Sequence, residues 1–390
     1  MNNAVISSGM KYLLTNRFPA IAADIPLKVR EGSPIIVDGN QGLVIINPAP
    51  EVMENYRREK EIQIAQIHEL EKLRDLPAQT VDGHRITVAA NIDNPDEIKA
   101  VLRHGAEGIG LYRTEFLYFN RTTLPTEEEH YQNYLKVAQK MLPYSVIIRT
   151  TDIGGDKLTQ LGLEGLTEEN NPFMGLRAIR LCLKYPDIFK SQLRGILRAS
   201  ADGRVKIMYP MISGVQELRS ANMILEETKE ELRKEGKKFD EKIEVGAMIE
   251  VPSAALTADL IAREIDFLSI GTNDLIQYTL AVDRVNENVA SLYDPLHLSI
   301  LRLLKTIIDA AHNAGKWVGM CGEMAGDPNF SLVLSGLGLD ELSVSPAQIP
   351  KVKKIIRSIS LLDAKALVAD ILSVSEHDKV IERMKMGRVP

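Results

Sequence analysis

The chain predicts an α/β fold: a (β/α)8 barrel of the triosephosphate isomerase type. Three observations point there. Eight short apolar runs alternate with helical stretches from residue 84 onward. Polar and charged residues gather where those runs end, as they do at the mouth of a parallel barrel. No phosphate-cradling GxGxxG follows the first run, which weighs against the alternative of an open doubly wound sheet.

Residues 1–48 read as short strands and turns, because VDGNQGLVIIN places turn signals ahead of an apolar run. So short a segment is too small for an independent core and reads as a fragment of a β-rich domain. A break follows at NPAP (47–50), and the charged, glycine-free stretch from 51 to 76 predicts a long, solvent-facing linker helix. The barrel runs then follow: RITVAANI (85–92), GIGLYRTE (108–115), SVIIRTTDIG (145–154), VKIMYPMI (205–212), VGAMIEVP (245–252), DFLSIGTND (266–274), WVGMCGE (317–323) and ELSVSP (341–346). Between them lie helical stretches such as NPDEIKAVLRHG, TEEEHYQNYLKVAQKML and QELRSANMILEETKEELRKEG.

Composition bounds the function. The chain has 390 residues, 45% of them hydrophobic, enough for one large core and something smaller. A formal charge of −6 weighs against a general nucleic-acid or anionic-membrane surface. Two cysteines, Cys182 and Cys321, make no disulfide framework, which fits a cytoplasmic setting. The N-terminus is a poor signal peptide, and no apolar stretch is long enough to span a membrane.

The run ends carry the chemistry. Arg113 and Glu115 close the second run, Arg149 and Asp152 the third, Glu250 the fifth, Asn273 and Asp274 the sixth, and Cys321 and Glu323 the seventh. One arginine alone is more often a surface ion-pair partner. Arg113, Arg149 and Arg284 converging on one mouth predict a site for a compact polyanion, since each guanidinium offers a planar fork to phosphate or carboxylate. Glu250 and Asp274 are hard oxygen donors suited to magnesium, with helix N-capping as the plainer alternative. No histidine-rich or cysteine-rich cluster competes for zinc. Cys321, beside Gly322 at a strand end, is either inert packing or a proton donor to an enolate carbon.

Five motifs carry a resemblance: GIGLYRTEFLY (108–118), IIRTTDIGGDK (147–157), NPFMGLRAIR (171–180), SIGTNDLIQYTLAVDR (269–284) and GMCGEMAGD (319–327). Together, and in that order, they resemble enzyme I of the phosphoenolpyruvate:sugar phosphotransferase system, the phosphoenolpyruvate-protein phosphotransferases. Related motifs occur in pyruvate phosphate dikinase and phosphoenolpyruvate synthase. TNDLIQYTLAVDR, and LPTEEEHY after Arg121, look like enzyme I. The resemblance implies that Arg113 and Arg149 hold the phosphate of phosphoenolpyruvate. It also implies that Asn273, Asp274 and Arg284 contact substrate, that Glu250 and Asp274 bind Mg2+, and that Cys321 is the proton donor. It further implies a homodimer and partnership with a histidine phosphocarrier protein. On that reading residues 1–50 are the remnant of a swivelling phosphohistidine domain, 51–83 a helical linker and 84–390 the phosphoenolpyruvate-binding barrel.

The family's phosphohistidine motif has no counterpart here. The equivalent of its I-P-A segment is Phe18-Pro19-Ala20, and counting back eleven from Pro19 reaches Ser8. No histidine precedes His68, and His84 matches a different family position. The family's domain for docking the carrier protein also has no counterpart. The expectation is a chain that binds phosphoenolpyruvate and Mg2+ but cannot complete transfer to the carrier alone. A dikinase or synthase fragment, and a catalytically idle phosphoenolpyruvate-binding regulator, are the competing readings.

Overall fold

The computed structural model describes residues 4–6, 32–38, 43–154, 169 and 171–386. Ser8 and Phe18-Pro19-Ala20, the positions aligned with the family's phosphohistidine motif, lie outside the described residues. The chain divides into two compact units, Met1–Lys72 and Leu73–Pro390.

In the first unit, β1 (Ala4–Ile6), β2 (Ile35–Asp38) and β3 (Leu43–Ile46) form an antiparallel sheet in that order, with Ile35 opposite Ile46. The predicted linker helix is present as Pro50–Glu71, with proline in its first turn. Its Tyr56 hydroxyl donates to the Asp38 carboxylate at 3.0 Å.

The second unit is the predicted barrel. All eight runs form strands: β4 (Thr87–Ile92), β5 (Ile109–Tyr112), β6 (Val146–Arg149), β7 (Val205–Tyr209), β8 (Val245–Ile249), β9 (Phe267–Ile270), β10 (Trp317–Met320) and β11 (Glu341–Val344). They pair parallel in chain order, and β11 closes on β4 with Glu341 opposite Thr87.

Side-chain alternation sorts each strand into two faces. Val88, Ile148, Ile207, Ile249, Leu268, Val318 and Leu342 point outward into the layer shared with the helices. Ile147, Met208, Met248, Phe267 and Cys321 point inward and fill the barrel with Leu111 and Trp317. Phe267 and Trp317 stack at 4.6 Å between ring centroids and plug the end opposite the mouth. Gly246 on β8 makes room for that plug, since a Cβ there would lie 2.3 Å from the Phe267 ring. A register shift in the β4–β5 pairing at Ala90/Asn91, and another between Ile109 and Tyr112, break the strict alternation locally.

Local signals start the helices. Helix Glu127–Met141 opens with a capping box, in which Thr126 accepts the Glu129 N–H at 3.2 Å and Glu129 accepts the Thr126 N–H at 2.7 Å. Helices Pro186–Ser200 and Pro252–Leu256 carry proline in the first turn, where its missing N–H costs nothing. Among the described residues no helix is long and apolar enough to cross a membrane.

Candidate functional site

The parity that turns Ile147 inward also turns Arg149 inward, two residues further along β6 and one layer nearer the mouth. The same holds on β8, where Met248 is followed by Glu250, and after β10, which delivers Cys321. Asn273 and Asp274 lie in the first turn of helix Thr272–Leu280, directly after β9. Arg113 follows β5, and Arg284 follows the helix after β9.

These residues share one cavity of about 350 Å³, lined by Arg113, Arg149, Glu250, Asn273, Asp274, Arg284 and Cys321. Every residue assigned to the site from sequence is therefore in one place. The same wall includes Asp152 and Arg177.

Charge is layered by depth. Arg149 is the most buried of the site's arginines, 8% exposed, with ion pairs to Glu115 at 3.1 Å and Asp152 at 3.0 Å. Burial opposes its charge, but Glu115, Asp152 and Glu250 outweigh burial and hold it above the usual arginine range. The rim is more open. Arg113 pairs with Asp93 at 2.8 Å and Arg284 with Glu323 at 3.0 Å. Glu323 is also tied to Asn273, whose side chain donates to its carboxylate at 3.2 Å and accepts its N–H at 2.9 Å. The rim arginines are thus held by exposed carboxylates, pairs of little strength that an arriving anion can replace.

Asp152, Glu250 and Asp274 each turn an oxygen into a common volume, all within 4.8 Å of one another. Three hard oxygen donors fit a divalent cation of the magnesium or calcium kind. Glu250 and Asp274 do not cap the helices they precede or begin. Glu250 instead accepts the Met211 N–H at 2.7 Å, an N–H aimed by the left-handed backbone of Met211 at φ 57°. Burial, with repulsion from Asp274 and Asp152, pushes the Glu250 carboxyl up to about 8. A buried acid this reluctant to ionise is one that a cation would relieve.

Cys321 is a buried part of the cavity wall. Its thiol accepts from the Ser269 hydroxyl at 3.5 Å, and the Asn91 side chain fixes its backbone by donating to Cys321 O at 3.0 Å. Burial pushes the thiol up to about 11, so it carries its proton at neutral pH. Gly322 lets the β9 and β10 ends meet here, because a Cβ would collide with Thr272.

Arg177 is the residue the sequence reading missed. It sits in the connection leaving β6, not at a strand end, and returns to the mouth through a bridge with Gly154 and an Ala178 N–H bond to Ile153 O at 3.1 Å. Ala178 takes φ 54°, a conformation a non-glycine residue adopts at a cost. The available signal was its place inside NPFMGLRAIR, where an arginine follows a glycine turn.

Staphylococcus carnosus phosphoenolpyruvate-protein phosphotransferase is 48% identical over 366 residues, covering 93% of this chain and 64% of its own length. The protein of the same name from Priestia megaterium is 50% identical over 357 residues, covering 92% and 62%. The chain thus spans a little under two thirds of these relatives. Among solved structures, a citrate lyase beta subunit from M. tuberculosis reaches a TM-score of 0.40 at 15% identity, covering 70% of this chain and 97% of that one. Residues 67–361 match the family described as PEP-utilising enzyme, PEP-binding domain, and the chain belongs to that family.

Proposed function

We propose that this barrel binds phosphoenolpyruvate with Mg2+ and serves as the substrate-binding part of a phosphoenolpyruvate-protein phosphotransferase of the sugar phosphotransferase system. The observation that carries the reading is one cavity uniting arginines, carboxylates and a buried thiol in a chain of this family.

Arg113 and Arg149 hold the phosphate, the first from the rim and the second from the floor. Asn273, Asp274 and Arg284 orient the enolpyruvate end. Glu250 and Asp274 hold the magnesium ion, and Asp152 stands within reach of both. Magnesium held there would supply positive charge to offset the negative charge of the substrate. The P–O bond breaks as a histidine nitrogen of another segment or chain takes the phosphoryl group, leaving the enolate of pyruvate. Cys321 then gives its proton to the enolate carbon, a role suited to a thiol kept protonated by burial.

The same reading assigns residues 1–50 to a phosphohistidine-domain remnant, 51–83 to the linker and 84–390 to the barrel. It places the protein in the cytoplasm as a homodimer acting toward a histidine phosphocarrier protein.

Calorimetry tests it. Phosphoenolpyruvate should bind only with Mg2+, and Arg149→Ala should weaken binding by roughly a hundredfold, the loss of a buried charge-assisted pair. A separate phosphohistidine domain and the carrier protein should then restore pyruvate production. Binding that ignores Mg2+ and survives Arg149→Ala would remove the reading.

A further inference from the structure

Two of the three carboxylates at the proposed cation site, Asp152 and Asp274, already share a cation. The Arg177 guanidinium donates to both oxygens of Asp152, from Nε at 3.0 Å and from Nη2 at 2.9 Å, and the same Nη2 reaches Asp274 at 3.1 Å. Its remaining terminal nitrogen donates to the Tyr278 hydroxyl at 3.2 Å, and that hydroxyl donates to Phe173 O. The side chains of Arg177, Asp152 and Asp274 are 11%, 5% and 11% exposed, so these contacts form largely out of water. Asp152 and Asp274 belong to the cluster whose oxygens lie within 4.8 Å of one another. Every lone pair the guanidinium takes on them is one fewer for a metal ion, and its positive charge stands where the metal's would.

We propose that Arg177 occupies the cation position of this cluster in the ligand-free chain, and that a divalent cation binds by displacing its side chain. The inference rests on reading the mouth as a cation site, and it adds the residue that competes for that site. The movement is confined to the side chain, since the Ala178 N–H bond to Ile153 O and the bridge to Gly154 anchor the backbone on both sides. The exchange of one cation for another keeps Asp152 and Asp274 neutralised, which a buried pair of carboxylates requires. It also links metal to substrate: any anion that draws the guanidinium outward frees the carboxylates, so the two ligands strengthen each other.

The test is Mn2+ binding to the purified full chain without phosphoenolpyruvate, followed by the electron paramagnetic resonance signal of free Mn2+. Arg177→Gln should bind Mn2+ at least tenfold more tightly than the unsubstituted chain. Arg177→Lys, which keeps the charge but loses the planar fork, should fall between them. Arg284→Gln removes a positive charge from the same mouth without touching the cluster, and should change the affinity less than threefold. Circular dichroism and the unfolding midpoint establish that each variant is folded. Unchanged or weaker Mn2+ binding in Arg177→Gln and Arg177→Lys overturns the proposal while leaving the cation site standing. Equal tightening in Arg284→Gln overturns it too, by making the effect one of overall charge. If no form takes up Mn2+, both the proposal and the cation site fall.

Discussion

The side chain of Gln192 accepts the backbone N–H of Thr151 at 2.9 Å, fastening a helix on the barrel's outer layer to the connection that carries Asp152. The amide nitrogen of Gln192 donates to the Thr114 and Tyr134 hydroxyls, each at 3.0 Å, and Thr114 donates to Arg149 O at 3.1 Å. Gln192, Thr151, Thr114 and Tyr134 are all fully buried. The ends of β5 and β6 are therefore joined through one fully paired amide.

Gln192→Leu leaves the Thr151 N–H and two hydroxyls without that partner. Unpaired buried groups cost roughly 1–3 kcal/mol each, so urea unfolding should show a loss of about 3 kcal/mol. Phosphoenolpyruvate affinity should fall as well, because Arg149 and Asp152 lose their support. A loss under about 1 kcal/mol would mean that water replaces the amide.

His130 predicts the acid side of the stability curve. It is buried, with Nδ1 2.8 Å from the Tyr134 hydroxyl, and burial pulls its pKa down to about 3. The unfolded chain takes up this proton near pH 6.5, the folded chain only near 3. Between those values the unfolded state binds more protons, so stability falls as pH drops through the window. The slope is about 1.4 kcal/mol per pH unit for one proton. His130→Gln should lose that share of the slope, measured by urea unfolding at pH 7, 6 and 5. Parallel curves for the two proteins would count against it.

Cys321 should alkylate as a thiol with a raised pKa. In a Cys182→Ala background, the iodoacetamide rate should still be climbing above pH 9, toward the value of about 11 that burial imposes. Under the proposed function, Cys321→Ser should slow deuterium exchange into the methyl group of pyruvate by about a hundredfold or more. An alkylation midpoint near 8.5 would show the thiol to be wet.

Mg2+ should stabilise the fold through Glu250. Ligand at a hundred times its Kd adds about 2.7 kcal/mol. Thermal unfolding should therefore shift upward with Mg2+ in the unsubstituted chain and hardly at all in Glu250→Gln. An equal shift in both would place the ion elsewhere.

Gly322→Ala should cost about 1–3 kcal/mol, the usual penalty for forcing extra volume into a packed site, because the new methyl meets Thr272. The same substitution should speed Cys321 alkylation if it opens the contact between the ends of β9 and β10. A neutral effect on both would show that Thr272 gives way freely.

Much of this protein was legible in its sequence for a local reason. Strand runs such as VIIR and VGAMI carry their own two-residue period, so they declare both that they are strands and which residues share a face. Eight such runs imply closure, and closure sends every strand end to one mouth. Arg113, Arg149, Glu250, Asn273, Asp274 and Cys321 could thus be placed together from position along the chain, and Arg284 from its kinship with the other arginines. Arg177, Asp152 as a partner in the carboxylate cluster, and Gln192 were decided only by tertiary structure. Arg177 depends on how a long connection folds back over β6, and no periodicity records the path of a connection. Gln192 lies on a helix whose sequence pattern says only that one face is buried. Which buried polar atom meets which loop N–H is set by the packing of that helix on the barrel, a relationship between elements far apart in the chain.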